Sequence, residues 1–312
     1  MSAFLVKRLG FAIVTLWAVL SLVFVVVRIV PGDPAQVVLG DQADATAIAA
    51  MRTRLGLDAP MSEQYVSFLA GAVRGDWGVS LVTGRPVIQE VLAVLPWTIE
   101  LTVVSLVIGV LIGVPLGVWS AVNRNRMPDY VTRIASLLGL SFPPFVSAII
   151  LLIVFAIMLR WFPVISAGRG SVSAWFQSMA LPALNLGLIM AAYITRVARS
   201  AMLEVMQEDY VRSARAKGVP WRVVIWRHAL RNALIPIITI VGLYLGILIG
   251  NSVLTEIVFN RPGLGKLIVG ALNQRDYTML QGMMVIYTLI VVLVNIATDI
   301  TYALVDPRVK LS

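Results

Sequence analysis

Long apolar runs alternate along the chain with shorter polar ones. Six runs, at 9–30, 98–121, 134–159, 175–197, 233–254 and 278–305, reach the length of about 20 residues needed to cross roughly 30 Å of hydrocarbon. Each predicts a membrane-spanning helix, the fourth most weakly, because Pro182 breaks it. The first run follows Lys7 and Arg8 as a signal peptide would. It is too long for that and no small-x-small cleavage site follows, so it reads as a span of the mature protein. Pro143 and Pro144 remove two backbone donors near the start of the third run. They predict a bend in that helix, or a broken helix beside a pathway. The pattern divides the chain into an N-terminus with the first span (1–30), an extracytoplasmic loop with short helices (31–96) and a five-span core (97–312) that includes a cytoplasmic loop at 196–232. Residues 46–55 and 62–73 of the outer loop have helical spacing.

Composition supports a lipid environment. Apolar residues make up 59% of the 312 and charged residues 13%, with a mean hydropathy of +0.89, whereas soluble domains lie near 45–50% and 25%. The absence of Cys excludes disulfides and thiolate metal sites, and a single His, His228, excludes most His-based metal and acid–base sites. The net charge of +9 is a matter of topology before it is one of nucleic acid, for which nothing in the chain speaks. If both termini lie in the cytoplasm, the 63 inner residues carry 14 Lys or Arg and the 110 outer ones carry 9, the bias expected of inner loops.

Helices in lipid associate through small residues. Gly109, Gly113 and Gly117 form one stripe with a spacing of four, and Gly242, Gly246 and Gly250 form a second. Both are expected to be packing faces, and their matched places hint at an internal repeat. Asn185, Tyr193, Tyr244 and Asn251 are candidates to present hydrogen bonds to a passing solute, or to glue helices together. Asp299, near Asn295 in the sixth run, is expected to pair with a basic residue or to line a pathway. The outer loop carries seven acidic residues against four Arg. It is either a platform for another protein or a lid on the chain itself.

The cytoplasmic loop is too ordered in pattern for a linker. Acids open the stretch 207–220 and bases close it, complementing a helix dipole. Gly218 stands where a left-handed residue ends a helix, and Pro220 prevents continuation. The pattern specifies a free-standing helix of about nine residues, roughly 14 Å long. Asp209, Tyr210, Arg212, Ala214, Arg215, Ala216 and Lys217 would be presented on it. Small alanines and three cations, without a broad apolar face, suit entry into another protein's cleft better than rest on anionic lipid.

The strings DYVRSARAKG (209–218) and HALRNALIP (228–236) resemble the coupling loop of ABC-importer permeases, more narrowly the dipeptide/oligopeptide/nickel branch. VPGDPA (30–35), LGLDAPMSEQY (55–65), GDWGVS (75–80), RPGLGKL (261–267) and DPR (306–308) follow in that branch's order. The general family loop has Glu and Ala where Arg212 and Ser213 stand, and Ile and Pro where His228 and Arg231 stand; Ala214 and Gly218 match. The resemblance implies an all-α, six-span, type I importer permease in a bacterial inner membrane. It implies a second homologous permease, two cytoplasmic ATPases or one fused pair carrying ATP and Mg, and an extracytoplasmic binding protein. Arg261, Pro262, Gly263 and Leu264 form a turn able to reach toward that donor. Members of the branch carry dipeptides, longer peptides, nickel chelates, glutathione and some plant-derived sugars.

No nucleotide-binding loop occurs: Gly265-Lys266 is followed by Leu267 rather than Ser or Thr. The chain therefore reads as a non-catalytic subunit without a cofactor of its own, and peptide as the expected cargo. An intramembrane enzyme lacks parts here, with no second His and no paired intramembrane Asp. A self-sufficient ion-driven carrier would need several mid-membrane charges, and only Asp299 qualifies.

Overall fold

The computed structural model describes residues 2–29, 34–39, 43–164 and 170–305. The fold is all-α, and among the described residues the sole extended pairing is one bridge between Val79 and Pro86. Five helices are long and apolar enough to cross a membrane, and a bent pair makes a sixth span. The expectation of six holds in that form. The helices are α1 (Ser2–Ile29), α2 (Pro34–Leu39), α3 (Ala45–Arg54), α4 (Met61–Arg74), α5 (Val87–Val122), α6 (Met127–Ser141), α7 (Pro144–Met158), α8 (Val172–Val205), α9 (Asp209–Ala216), α10 (Trp221–Val258), α11 (Leu264–Asn273) and α12 (Tyr277–Val305). Asp33, Asp41, Gly32 and the DPR string lie outside the described residues.

The chain forms two compact units. The first comprises 1–96 and 262–293, the second 97–261 and 294–310. The grouping by contact differs from the division by hydropathy: residues 262–293 group with the N-terminal part, because α11 and the start of α12 share its core.

In the first unit, Val87, Val91, Leu264, Met279 and Met283 form that core. Asp276 starts α12 by accepting the Met279 amide at 3.0 Å, and it ties down the loop between α4 and α5 by accepting Ser80 Oγ at 2.5 Å. The outer loop also packs on α1. Phe24 meets the Tyr65 and Phe68 rings at 5.2 and 5.8 Å, and Arg28 donates from Nε and Nη2 to Gln64 Oε1 at 3.1 and 2.9 Å. The helices α3 and α4 fall where helical spacing places them, and α4 covers its own chain.

In the second unit α8 is the central post. Its apolar window is 78% buried, against 17–39% for the other long helices, and its hydropathy, 1.5, is the lowest. A helix wrapped by others needs little grease, which is why this span reads weakly in sequence. The first glycine stripe is its packing partner. A Cβ added at Gly113 would stand 2.7 Å from Ile194 Cβ and 2.8 Å from the Ala191 carbonyl. One at Gly117 would stand 2.8 Å from the Thr195 carbonyl, and one at Gly109 would overlap Met190. The second stripe is corrected. Gly242 touches Thr298, but a Cβ at Gly246 would find only Asn295 Oδ1, at 3.8 Å, and Gly250 is exposed. The spacing matches while the surroundings do not, so the glycines give no support to an internal repeat.

The third span is broken at the prolines. The axes of α6 and α7 differ by 101°, and Pro143 and Pro144 sit at the break. Neither proline can donate an amide, so the freed groups must find partners elsewhere. Asn185, buried on α8, braces the α7 side of the break: its Nδ2 donates to the Pro144 carbonyl at 3.0 Å and its Oδ1 accepts Ser147 Oγ at 2.7 Å. The α8 helix continues to Val205, so the first ten residues of the loop expected over 196–232 are helical.

Candidate coupling helix and polar groove

Between α8 and α10 the chain leaves the bundle and forms α9, eight residues long. Asp209 lies in its first turn and Arg215 in its last. Gly218 closes it at φ +78, with its amide on the Arg215 carbonyl at 2.9 Å and the Val219 amide on the Ala214 carbonyl at 3.2 Å. This pair of bonds is the glycine-terminated stop read from the sequence. Val211 is the one buried residue of α9, and Ala214, three positions on, is half-buried. Asp209, Tyr210, Arg212, Arg215, Ala216, Lys217 and Gly218 are exposed. Arg212 and Asp209 pair loosely at 3.6 Å in full view of solvent.

Two supports of α9 have no motif that announces them. Asn232 on α10 donates to the Tyr210 hydroxyl at 2.7 Å, and the Arg215 guanidinium lies 4.8 Å above the Trp221 ring. Both hold α9 to α10, which winds as a π-helix over Val224–Ala229.

At the α8 end leading toward α9, Asp129 is fully buried and takes both ends of a guanidinium. Arg199 Nε reaches Oδ1 at 2.6 Å and Nη2 reaches Oδ2 at 2.8 Å. Ser120 Oγ and the Asn125 amide complete the carboxylate at 2.6 and 2.9 Å. This cluster joins α5, α6 and α8 through charge-assisted, bidentate bonds. Sequence reasoning placed Arg199 among the inner cations and gave Asp129 no part. An acid as the third residue of α6, just after Pro128, was the available signal.

The four polar pathway candidates separate. Tyr193, Tyr244 and Asn251 line a cavity of about 390 Å³ beside the α6–α7 break, and the two tyrosine rings stack with centroids 4.1 Å apart. Asn185 does not line it, being spent on the proline break. The side chain of Asp299 lies outside the described residues.

The turn at 261–264 is also corrected. Arg261, Gly263 and Leu264 are buried, and Arg261 Nη2 donates to Glu100 Oε2 at 2.8 Å. Trp175 Nε1 donates to the other oxygen of Glu100, and Arg261 lies 5.0 Å from the Trp97 ring centroid. Intramembrane charges are neutralised by pairing, and a guanidinium committed this way is not presented to a docking protein. Pro262 is half-buried and Lys266 is the exposed cation of this turn.

Long apolar helices with one short, mostly exposed helix between two of them describe a polytopic membrane subunit. Residues 113–311 match the family described as "Binding-protein-dependent transport system inner membrane component", and residues 1–102 match the N-terminal part of such membrane components. The chain is 40% identical over 307 residues to the glutathione transport system permease protein GsiC of Escherichia coli strain K12, covering 98% of each chain. The same protein of Shigella dysenteriae serotype 1 gives the same figures. A solved structure of the MetNI methionine ABC transporter, in an inward-facing form, aligns with a TM-score of 0.54 at 22% identity, covering 67% of this chain and 93% of that one, a likeness of fold. The chain belongs to the binding-protein-dependent inner-membrane components, the permease subunits of ABC importers, in its peptide and nickel branch. It is a non-catalytic, multi-pass subunit of the inner membrane.

Proposed function

We propose that this chain forms one half of the pathway of an importer for small peptides, glutathione-sized tripeptides among them, and that α9 is the part a cytoplasmic ATPase grips. Identity of 40% to permeases named for glutathione favours a peptide of that size. The role of α9 rests on one observation: six of its eight residues are exposed, while Val211, the half-buried Ala214 and the Tyr210–Asn232 bond hold it to α10.

In this reading both termini are cytoplasmic. Two ATPase subunits, separate or fused, bind ATP and Mg and receive α9 in a groove. Arg212, Arg215 and Lys217 meet acidic groups of that groove, and Ala214 and Ala216 allow close backbone approach. A second homologous permease completes the pathway, and a binding protein delivers solute from outside to the loop 31–96. Closure of the ATPase pair shifts α9, α10 follows, and the glycine-packed α5–α8 pair moves as one body.

The test is Gly218→Leu in the complete transporter. Nothing lies within 4 Å of a Cβ at that position, so no clash arises. The cost is the left-handed backbone at φ +78, roughly 1–2 kcal/mol, which distorts the end of α9 without unfolding the bundle. ATP hydrolysis should persist while uptake falls at least about tenfold, a loss of coupling of roughly 1.4 kcal/mol or more. Uptake at the wild-type rate would contradict the role assigned to α9.

A further inference from the structure

We propose that facing stripes of α6 and α8 form a single groove for short peptides of net negative charge, with Arg133 and Arg196 holding the carboxylates. This names the cargo class of the pathway proposed above and rests on that reading.

Two cavities of the second unit carry the argument. One, of about 390 Å³, has Leu140 and Ser141 on α6 and Ile189 and Tyr193 on α8 in its wall. The other, of about 210 Å³, is walled by Arg133, Leu137, Arg196 and Arg199. On α6 the positions 133, 137 and 141 are four apart, and on α8 the positions 189, 193 and 196 are four and three apart. Each set is one helical stripe. The helices run antiparallel, since 133 pairs with 196 at one end and 141 with 193 at the other. The two cavities therefore lie one after the other along the same pair of stripes, with cations at one and tyrosines and an asparagine at the other. Eight residues of helix span about 12 Å, and an extended tripeptide spans about 10–11 Å.

The charge along these stripes is one-sided. Arg199 is neutralised by Asp129. Arg133 and Arg196 are exposed, no carboxylate pairs with either among the described residues, and no acidic side chain lines either cavity. Two guanidiniums are thus left facing the groove, and guanidinium forks match carboxylates in plane and spacing. The hydroxyls of Tyr193 and Tyr244 and the amide of Asn251 offer hydrogen bonds to a peptide backbone at the far end. A phosphate of an anionic lipid shares the chemistry of a carboxylate and is separated by experiment.

The complete transporter, with its partner subunits and saturating binding protein, is reconstituted in vesicles of phosphatidylcholine with or without phosphatidylglycerol. ATP-driven uptake of alanyl-glutamyl-alanine is compared with that of trialanine. With Arg133→Gln and Arg196→Gln together, the acidic-to-neutral uptake ratio should fall about five- to tenfold, the worth of two exposed ion pairs. The paired Glu variant should lower it further, and the paired Lys variant should restore most of it, which separates charge from folding. The ratio should fall equally in both lipids. An unchanged ratio overturns the proposal, as does a fall confined to vesicles with phosphatidylglycerol, which would assign the arginines to a headgroup. A wild-type transporter that carries neither peptide overturns the peptide reading itself.

Discussion

At the scale of single residues, the account turns on which polar groups are committed and which are on offer. Asp129 and Arg199 are committed: the carboxylate is fully buried and the guanidinium keeps 21% of its side chain exposed. Breaking a buried pair costs about 3–5 kcal/mol, and the exposure of Arg199 lowers this to about 2–3 kcal/mol for Asp129→Asn. Thermal unfolding of the detergent-purified protein should show the loss, and Asp129→Asn with Arg199→Gln should be less harmful than the first change alone. The glycines divide in the same way. Gly113→Ala forces a methyl to within 2.7 Å of Ile194 Cβ and should lower stability by about 1–3 kcal/mol. Gly250→Ala, at an exposed position, should stay within about 0.5 kcal/mol of wild type. The same melting measurement tests both. Spacing alone made these two residues equivalent. Only the neighbours that other helices bring separate them, and a single chain's pattern holds no record of those. The surroundings of Arg261 and Asn185 were out of reach for the same reason: Arg261 meets Glu100, 161 residues away, and Asn185, of its two readings, takes the role of glue between helices at the break.

At the scale of elements, legibility followed locality. The α9 helix was readable nearly to the residue, because its dipole charges, its left-handed Gly218 and the following Pro220 all act within one turn. The bend at Pro143 and Pro144 was readable as a feature but not in size, since the 101° turn depends on the clamp from α8. The long helices were found and their ends were not. The α5 helix begins at Val87 rather than near 98, and α8 runs on to Val205 rather than 197. Hydropathy marks where lipid is, and a helix does not stop at that edge. The weakest of the six runs proved the most enclosed, because enclosure by protein relaxes the demand for apolar side chains. The partition of the chain escaped sequence reading altogether, as it rests on contacts of 262–293 with residues nearly two hundred positions earlier.

At the scale of the whole molecule, the chain is a permease subunit of the ABC-importer family, and the proposal is that force from a partner ATPase reaches it through α9. The wild-type sequence holds no Cys, so one Cys put in place of Ser213, exposed on α9, is the sole thiol of the chain. The deciding measurement is thiol cross-linking from that position in vesicles containing the complete transporter, read alongside ATP-driven uptake. The account predicts a cross-link to an ATPase subunit, with uptake blocked once it forms and no accumulation in vesicles that hold this chain alone. A transporter that accumulates solute while position 213 links to no ATPase, or a lone chain that concentrates solute unaided, would contradict it.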